Sequence, residues 1–256
     1  MPLLQIEGLT HYFGGLRAVH NFHTQIEPGE IRGLIGPNGA GKTTIFNLTT
    51  GVYKPSAGHI YFDGQEITGK RPHQISQLGI ARTFQNLRLW VNLSALDNVK
   101  IAFYSQIRYG LAGAFFGLRG RQKEEEAIEA EARRLMRLLD IEQYADFPVS
   151  ALPYGIQRKV EMARALATRP KLLLLDEPTA GMSPAEMMET MEVIQKLHDE
   201  LHLTIWLIEH RMKFVMTLCQ HIQVLDFGEV IAEGPPEEIR NHPRVIKAYL
   251  GEMVDV

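Results

Sequence analysis

The chain has a single cysteine, Cys219, among 256 residues. No disulfide can form within it, which fits a reducing compartment, and Cys219 reads as a small apolar residue in a helix. Cations are not in excess: 27 Lys and Arg stand against 30 Asp and Glu, for a formal net charge of −3. Such a balance does not neutralise a phosphate backbone, so nucleic acid is excluded as a main partner. No apolar run approaches the ~20 residues that cross a bilayer. The richest stretch, Tyr109 to Leu118, is too short and too rich in glycine. The opening MPLLQIEGLTHYFGG lacks a basic region followed by an apolar run, so no signal peptide is expected. Internal repeats and low-complexity tracts are also missing. Any membrane role would therefore be exercised from the cytoplasmic side, through a partner.

What is present is an ordinary globular composition, 45% hydrophobic and 22% charged. The length suits one large domain, or one domain with an insertion. Leu4 to Ile6 and Phe22 to Ile26 alternate like half-exposed strands. Ile31 to Ile35 reads as a strand entering a glycine-rich loop, and Lys42 to Thr50 as the helix that leaves it. His59 to Gly64 reads as a strand entering a turn. Helical patterns follow at Ser94 to Phe103, Gln122 to Leu139 and Ile156 to Ala167. In the second of these Glu129 and Arg133 are spaced for a favourable pair, and Ile128, Leu135 and Leu139 share a face. Leu172 to Leu175 and Thr204 to Ile208 are continuous apolar runs, as in strands buried on both faces. Pro184 to Leu201 is a helix. His221 to Leu225 and Glu229 to Ala232 flank Asp226-Phe227-Gly228, a hairpin signal. The alternation of strand and helix argues a mostly parallel sheet, with the block from about 86 to 166 inserted as a helical subdomain.

Two motifs carry chemistry. Gly36-Pro37-Asn38-Gly39-Ala40-Gly41-Lys42-Thr43 fulfils the P-loop pattern between a strand and a helix. Glycines let backbone N–H groups turn inward around phosphate oxygens, and the following helix, through Thr44, offers its positive end. Lys42 supplies a charge for the β- and γ-phosphates of ATP, and the Thr43 hydroxyl an oxygen ligand for Mg²⁺. Leu172 to Glu177 is the matching acidic strand end. Asp176 stands where a metal would sit, and Glu177 is placed to polarise an attacking water.

These motifs, with Gln85 in Arg82-Thr83-Phe84-Gln85, the Leu152-Pro153-Tyr154-Gly155-Ile156 segment, Asp176-Glu177-Pro178-Thr179 and His210, occur in one order. In that order the whole chain resembles the nucleotide-binding subunits of ABC transporters. The resemblance implies an α/β fold: a P-loop NTPase (RecA-like) core over about 1–85 and 167–256, an N-terminal antiparallel β subdomain, and an inserted α-helical subdomain over about 86–166. It implies that Phe13, with Tyr12 as alternative, stacks on adenine. Gln85 would sense Mg²⁺ and the attacking water and couple to the membrane subunits, and His210 would contact the γ-phosphate. Two subunits of this family sandwich each ATP, so a second homologous ATPase or a second copy is expected. Two membrane-spanning permeases are expected too, with the chain peripheral on the cytoplasmic face of the membrane.

The chain departs from the family's Leu-Ser-Gly-Gly-Gln signature. Pro153 replaces the serine, Tyr154 the first glycine and Ile156 the glutamine. Pro153 has neither hydroxyl nor N–H. Gly155 and the amides opening the next helix are therefore expected to carry the phosphate contact across a dimer. Ser183 stands where the family commonly has aspartate. The signature's Tyr-Gly, residues 81–89 and the ending Pro236 to Ile239 with Ala248 to Glu252 resemble the branched-chain amino-acid importers. The segment between about Ser105 and Gln122 resembles the longer of that system's two ATPase subunits. Such importers add an external solute-binding protein. Amide and urea importers use similar ATPases, and a lipopolysaccharide exporter has a close architecture. Soluble ABC ATPases of DNA repair or of ribosomes usually carry a coiled-coil insert or two fused units, neither of which is present.

Overall fold

The computed structural model describes residues 1–104 and 118–254. The segment from 105 to 117, which carries most of the resemblance to the longer subunit and most of the apolar run from Tyr109, lies outside the described residues. The chain divides into two compact units, Met1–Arg82 with Lys171–Val256, and Thr83–Pro170.

The first unit holds two sheets. Strands β1 (Leu4–Phe13), β2 (Leu16–Ile26), β4 (Ala57–Phe62) and β5 (Gln65–Glu66) form an antiparallel sheet in the order β2-β1-β4-β5. Inward and outward positions alternate along β2, as expected of a sheet with one solvated face. The second sheet runs β10-β9-β3-β8-β7-β6, from β3 (Ile31–Ile35), β6 (Ile80–Arg82), β7 (Leu172–Asp176), β8 (Thr204–Ile208), β9 (His221–Asp226) and β10 (Glu229–Gly234). All its pairings are parallel except β9 with β10, the edge hairpin. Every residue of β3, β7 and β8 is buried, which accounts for the apolar runs of β7 and β8, while the buried Arg32 of β3 is paired with Glu30 at 2.8 Å and Glu233 at 3.1 Å. The β9–β10 hairpin turns through Phe227 and Gly228 at φ 44° and 80°, the two positive values that a type I′ turn requires.

Helix α1 (Lys42–Thr49) leaves the glycine loop, and its apolar residues share one core with both sheets. There Phe46 meets the Trp206 ring at 4.9 Å, while Phe22 stacks on it at 6.4 Å. Each such aromatic contributes about 1.5–3 kcal/mol by leaving water. Helix α2 (Pro72–Leu78) leads into β6, and α6 (Pro184–Leu201) into β8. Ser183 and Glu186 close a reciprocal capping box at the start of α6, followed by Pro184 at the first helical position. Helices α7 (Met212–Leu218), α8 (Pro236–Arg240) and α9 (Pro243–Val254) complete the unit. Cys219 is buried just past α7, and burial pushes its thiol pKa well up, so it is unreactive packing.

The second unit packs α3 (Ala95–Tyr104), α4 (Leu118–Leu138) and α5 (Tyr154–Leu166) together. Helix α4 begins before Gln122 and α5 before Ile156, each by two to four residues, because the weakly apolar first turns carry no periodicity to read. Ile128, Leu135 and Leu139 are buried, and Glu129 pairs with Arg133 at 3.0 Å.

Candidate active site

In the parallel sheet Leu34 of β3 and Asp176 of β7 both stand level with Ile208 of β8. The three strands therefore end in one row. From that row emerge the glycine loop at Gly36, the acid Glu177 and, two residues past Ile208, His210. The crevice beyond the carboxyl ends of such strands is where open α/β sheets bind ligands.

The loop is shaped by glycines that nothing else could replace. Gly36 has φ 149°, and a Cβ there would lie 2.0 Å from the Leu225 carbonyl. Gly41 caps α1 at φ 103°, where a Cβ would meet the Ala18 carbonyl of β2 at 2.5 Å. Gly41, the N-cap of α1, has no side chain to cap the helix, and the Thr43 and Thr44 amides make no protein hydrogen bond among the described residues, which leaves them for an anion. Lys42 is buried and its ammonium donates to the carbonyls of Gly36, at 2.7 Å, and Pro37, at 2.8 Å. The cation is thus held at the loop it serves.

Asp176 is fully buried and paired with Arg82, whose Nη2 donates to Oδ2 at 2.6 Å. Arg82 Nη1 also donates to Asn47 at 2.7 Å and to Thr50 at 3.2 Å, both borne by or just past α1. The other oxygen of Asp176, Oδ1, is buried without a hydrogen-bond partner. Glu177 follows at φ 49°, a conformation that non-glycine residues adopt rarely and that clusters at functional sites. Its N–H donates to the Ile208 carbonyl at 2.9 Å, tying the turn to β8.

Phe13 and Tyr12 end β1, 43% and 46% exposed, so exposure does not choose between them. Packing does. The Phe13 ring sits edge-on to His11 at 4.6 Å and to Tyr53 at 5.3 Å, building an aromatic cluster in which Tyr12 has no part. Sequence reasoning missed Tyr53, whose only signal was an aromatic residue shortly after α1.

In the second unit Gln85 is exposed, and its carbonyl accepts from Arg158 Nη2. Arg158, buried on α5, donates also to the Phe84 carbonyl at 2.5 Å and to Glu161 at 3.2 Å. Burial raises the Glu161 carboxyl above the ordinary range, although Arg158 beside it pulls it down. The Tyr154 hydroxyl accepts from Arg158 as well. Pro153 is the N-cap of α5 and caps nothing with its side chain. The amides of Ile156 and Gln157 bond to its carbonyl at 3.0 Å, and those of Tyr154 and Gly155 donate to no protein acceptor among the described residues.

Residues 19–180 match the family described as "ABC transporter". The chain belongs to the ABC transporter family. Residues 229–255, covering β10 to α9, match a second family, "Branched-chain amino acid ATP-binding cassette transporter". The high-affinity branched-chain amino acid transport ATP-binding protein BraF of Pseudomonas aeruginosa is 44% identical over 252 residues, 98% of each chain. Among solved structures, the ADP conformation of MJ1267, an ATP-binding cassette of an ABC transporter, superposes with TM-score 0.85 at 31% identity, covering 98% of this chain and 99% of its own. The ATP-binding cassette MJ0796, dimeric in a post-hydrolysis state with ADP and Pi, superposes with TM-score 0.76 at 25% identity, covering 91% of this chain and 98% of its own.

For an ABC cassette the donor set also fits Mg²⁺. Asp176 Oδ1 is an unsatisfied buried carboxylate oxygen, and the exposed Thr43 hydroxyl makes no protein hydrogen bond among the described residues. Mg²⁺ is held by one or two such oxygens together with substrate phosphates and water, not by a protein cage. Among the described residues no helix is long and apolar enough to cross a membrane.

Proposed function

We propose that this chain is the ATPase subunit that powers an importer of branched-chain or other hydrophobic amino acids. The match of residues 229–255 to the branched-chain transporter family, on top of the 44% identity to BraF over 98% of each chain, supports the reading of the solute class. ATP enters with adenine against Phe13 and its phosphates in the loop from Gly36 to Thr44. The loop amides and Lys42 bind the triphosphate. Asp176 Oδ1 and the Thr43 hydroxyl would hold Mg²⁺, and Gln85 would act as its sensor; once bound, the ion neutralises charge on the β- and γ-phosphates. Glu177 polarises the water that attacks the γ-phosphorus, and His210 contacts the γ-phosphate.

A second cassette closes each site. The free amides of Tyr154 and Gly155 are the donors this chain offers to the nucleotide of its partner, in place of the missing serine. The exposed Trp90, Val91, Leu93 and Phe147 lie on two segments joined by backbone hydrogen bonds at Ala95 and Val149, and this patch suits an apolar segment of a permease at the cytoplasmic face of the membrane. The test is the rate of ATP hydrolysis against protein concentration, first for the isolated chain and then with a second cassette and two permeases. Turnover should be low alone and rise on assembly. A high, saturable rate from the isolated chain would contradict the need for partners.

A further inference from the structure

Glu209 lies between β8 and His210, is fully buried, and plays no part in the chemistry assigned above. A buried carboxylate is costly unless its oxygens are satisfied. Here both are, and they divide cleanly. Oε1 accepts from the Thr179 amide at 3.1 Å and from the Thr179 hydroxyl. Oε2 accepts from the His210 amide at 3.0 Å and from the Arg211 amide at 3.2 Å, with His210 Nδ1 3.7 Å away. One oxygen serves the segment after Glu177, and the other serves the segment carrying His210.

The two segments are joined on either side of this bridge as well. The Glu177 amide donates to the Ile208 carbonyl at 2.9 Å, and Arg211 Nη2 donates to the Met182 carbonyl at 2.9 Å. The backbone from Glu177 to Met182 is thereby fastened to the backbone from Ile208 to Arg211 at three successive points, and Glu209 is the middle one.

We infer that Glu209 is a positioning residue that holds Glu177 and His210 as one rigid unit, so that the water-polarising acid and the γ-phosphate contact take up their places together. The inference rests on the roles proposed for those two residues. It makes a specific chemical demand: both oxygens must be acceptors. Glutamine has the same shape but offers one acceptor and one donor, so it can satisfy one segment only, and its NH₂ group would face amide N–H groups on the other.

The experiment uses the full chain assembled with its partner cassette and permeases, and compares Glu209→Gln, Thr179→Val, His210→Ala and the double variant Glu209→Gln/His210→Ala. ATP binding and turnover are measured separately, with thermal melting as a check on folding. Glu209→Gln should bind ATP within about twofold of wild type, since the phosphate loop is untouched, while turnover falls on the order of 10²-fold, the scale of a misplacement of about 1 Å. Thr179→Val, which deletes one of the four donors, should fall by a smaller factor and fold normally, so the inference stays testable if Glu209→Gln melts early. The double variant should be scarcely slower than His210→Ala, because groups acting as a unit are not additive. Wild-type turnover in Glu209→Gln with a strong loss in His210→Ala would overturn the inference alone. Multiplicative losses in the double variant would overturn it too. Wild-type turnover in His210→Ala would overturn both the inference and the role of His210 on which it rests.

Discussion

The Tyr154 hydroxyl accepts two hydrogen bonds from the Arg158 guanidinium, at 3.0 Å from Nε and 2.6 Å from Nη2. The tyrosine that displaces a glycine from the family signature thus braces the arginine that holds the backbone of Phe84 and Gln85. Tyr154→Phe should destabilise the chain by about 1–2 kcal/mol, because a charged donor group loses its acceptor. It should also blunt the stimulation of hydrolysis by permeases, the coupling proposed for Gln85. Urea unfolding and ATPase assays with and without permeases would check both effects.

Binding and hydrolysis should separate at Lys42 and Glu177. Lys42→Ala removes a charge-assisted contact worth about 1.5–3 kcal/mol, so the Kd for ATP should rise roughly 10- to 100-fold. Glu177→Gln should bind ATP normally and lose on the order of 10²-fold or more in turnover, since an amide is a poor proton acceptor. Equilibrium nucleotide binding alongside single-turnover hydrolysis gives both numbers.

The aromatic cluster makes a graded prediction about the base. Stacking on a ring is worth ~1–3 kcal/mol and reads the π-face of the base and not its edge. Phe13→Ala should weaken ATP binding clearly, Tyr53→Ala less, and Tyr12→Ala hardly at all, with only modest preference of ATP over GTP in the wild type. Titration of the three variants with a fluorescent ATP analogue would rank them; a loss confined to Tyr12→Ala would move the platform by one residue.

Ser183, where the family commonly has aspartate, is the N-cap of α6. Its hydroxyl and the Glu186 carboxylate bond reciprocally, at 3.3 Å to the Glu186 amide and 2.9 Å from the Ser183 amide. Ser183→Ala should cost about 1 kcal/mol, or roughly 2–4 °C in Tm. Donation from the Ser183 amide, then from its hydroxyl, lowers the Glu186 pKa from its ordinary 4.5. A lowered carboxyl pKa stabilises the folded state above the unfolded value and ceases to do so as the pH falls through the folded one. The melting difference between wild type and Glu186→Gln should therefore be full at neutral pH and shrink below about 4.5.

Much of this was legible from residues alone. Strands β7 and β8 are apolar runs because both of their faces are covered, and the P-loop announces itself by spacing. The start of α6 is written in Ser183, Pro184 and Glu186. Other features depend on neighbours brought together by folding. Arg82 meets Asp176 only because β6, three residues long, lies beside β7 across some ninety residues of chain. Local periodicity carries no trace of that. Glu209 carries no sequence signal beyond an acid directly after an apolar strand, and Tyr154 stands where the family signature has a glycine. Their roles emerge from hydrogen bonds to Thr179 and Arg158.

Uptake of a radiolabelled branched-chain amino acid into proteoliposomes tests the central claim most directly. The vesicles hold this chain, a second cassette and two permeases, with solute-binding protein on the side away from the cassettes and ATP on theirs. Accumulation should require ATP and stop with Glu177→Gln. Uptake that continues unchanged with Glu177→Gln, or an assembly that hydrolyses ATP without moving any branched-chain amino acid, would contradict the account.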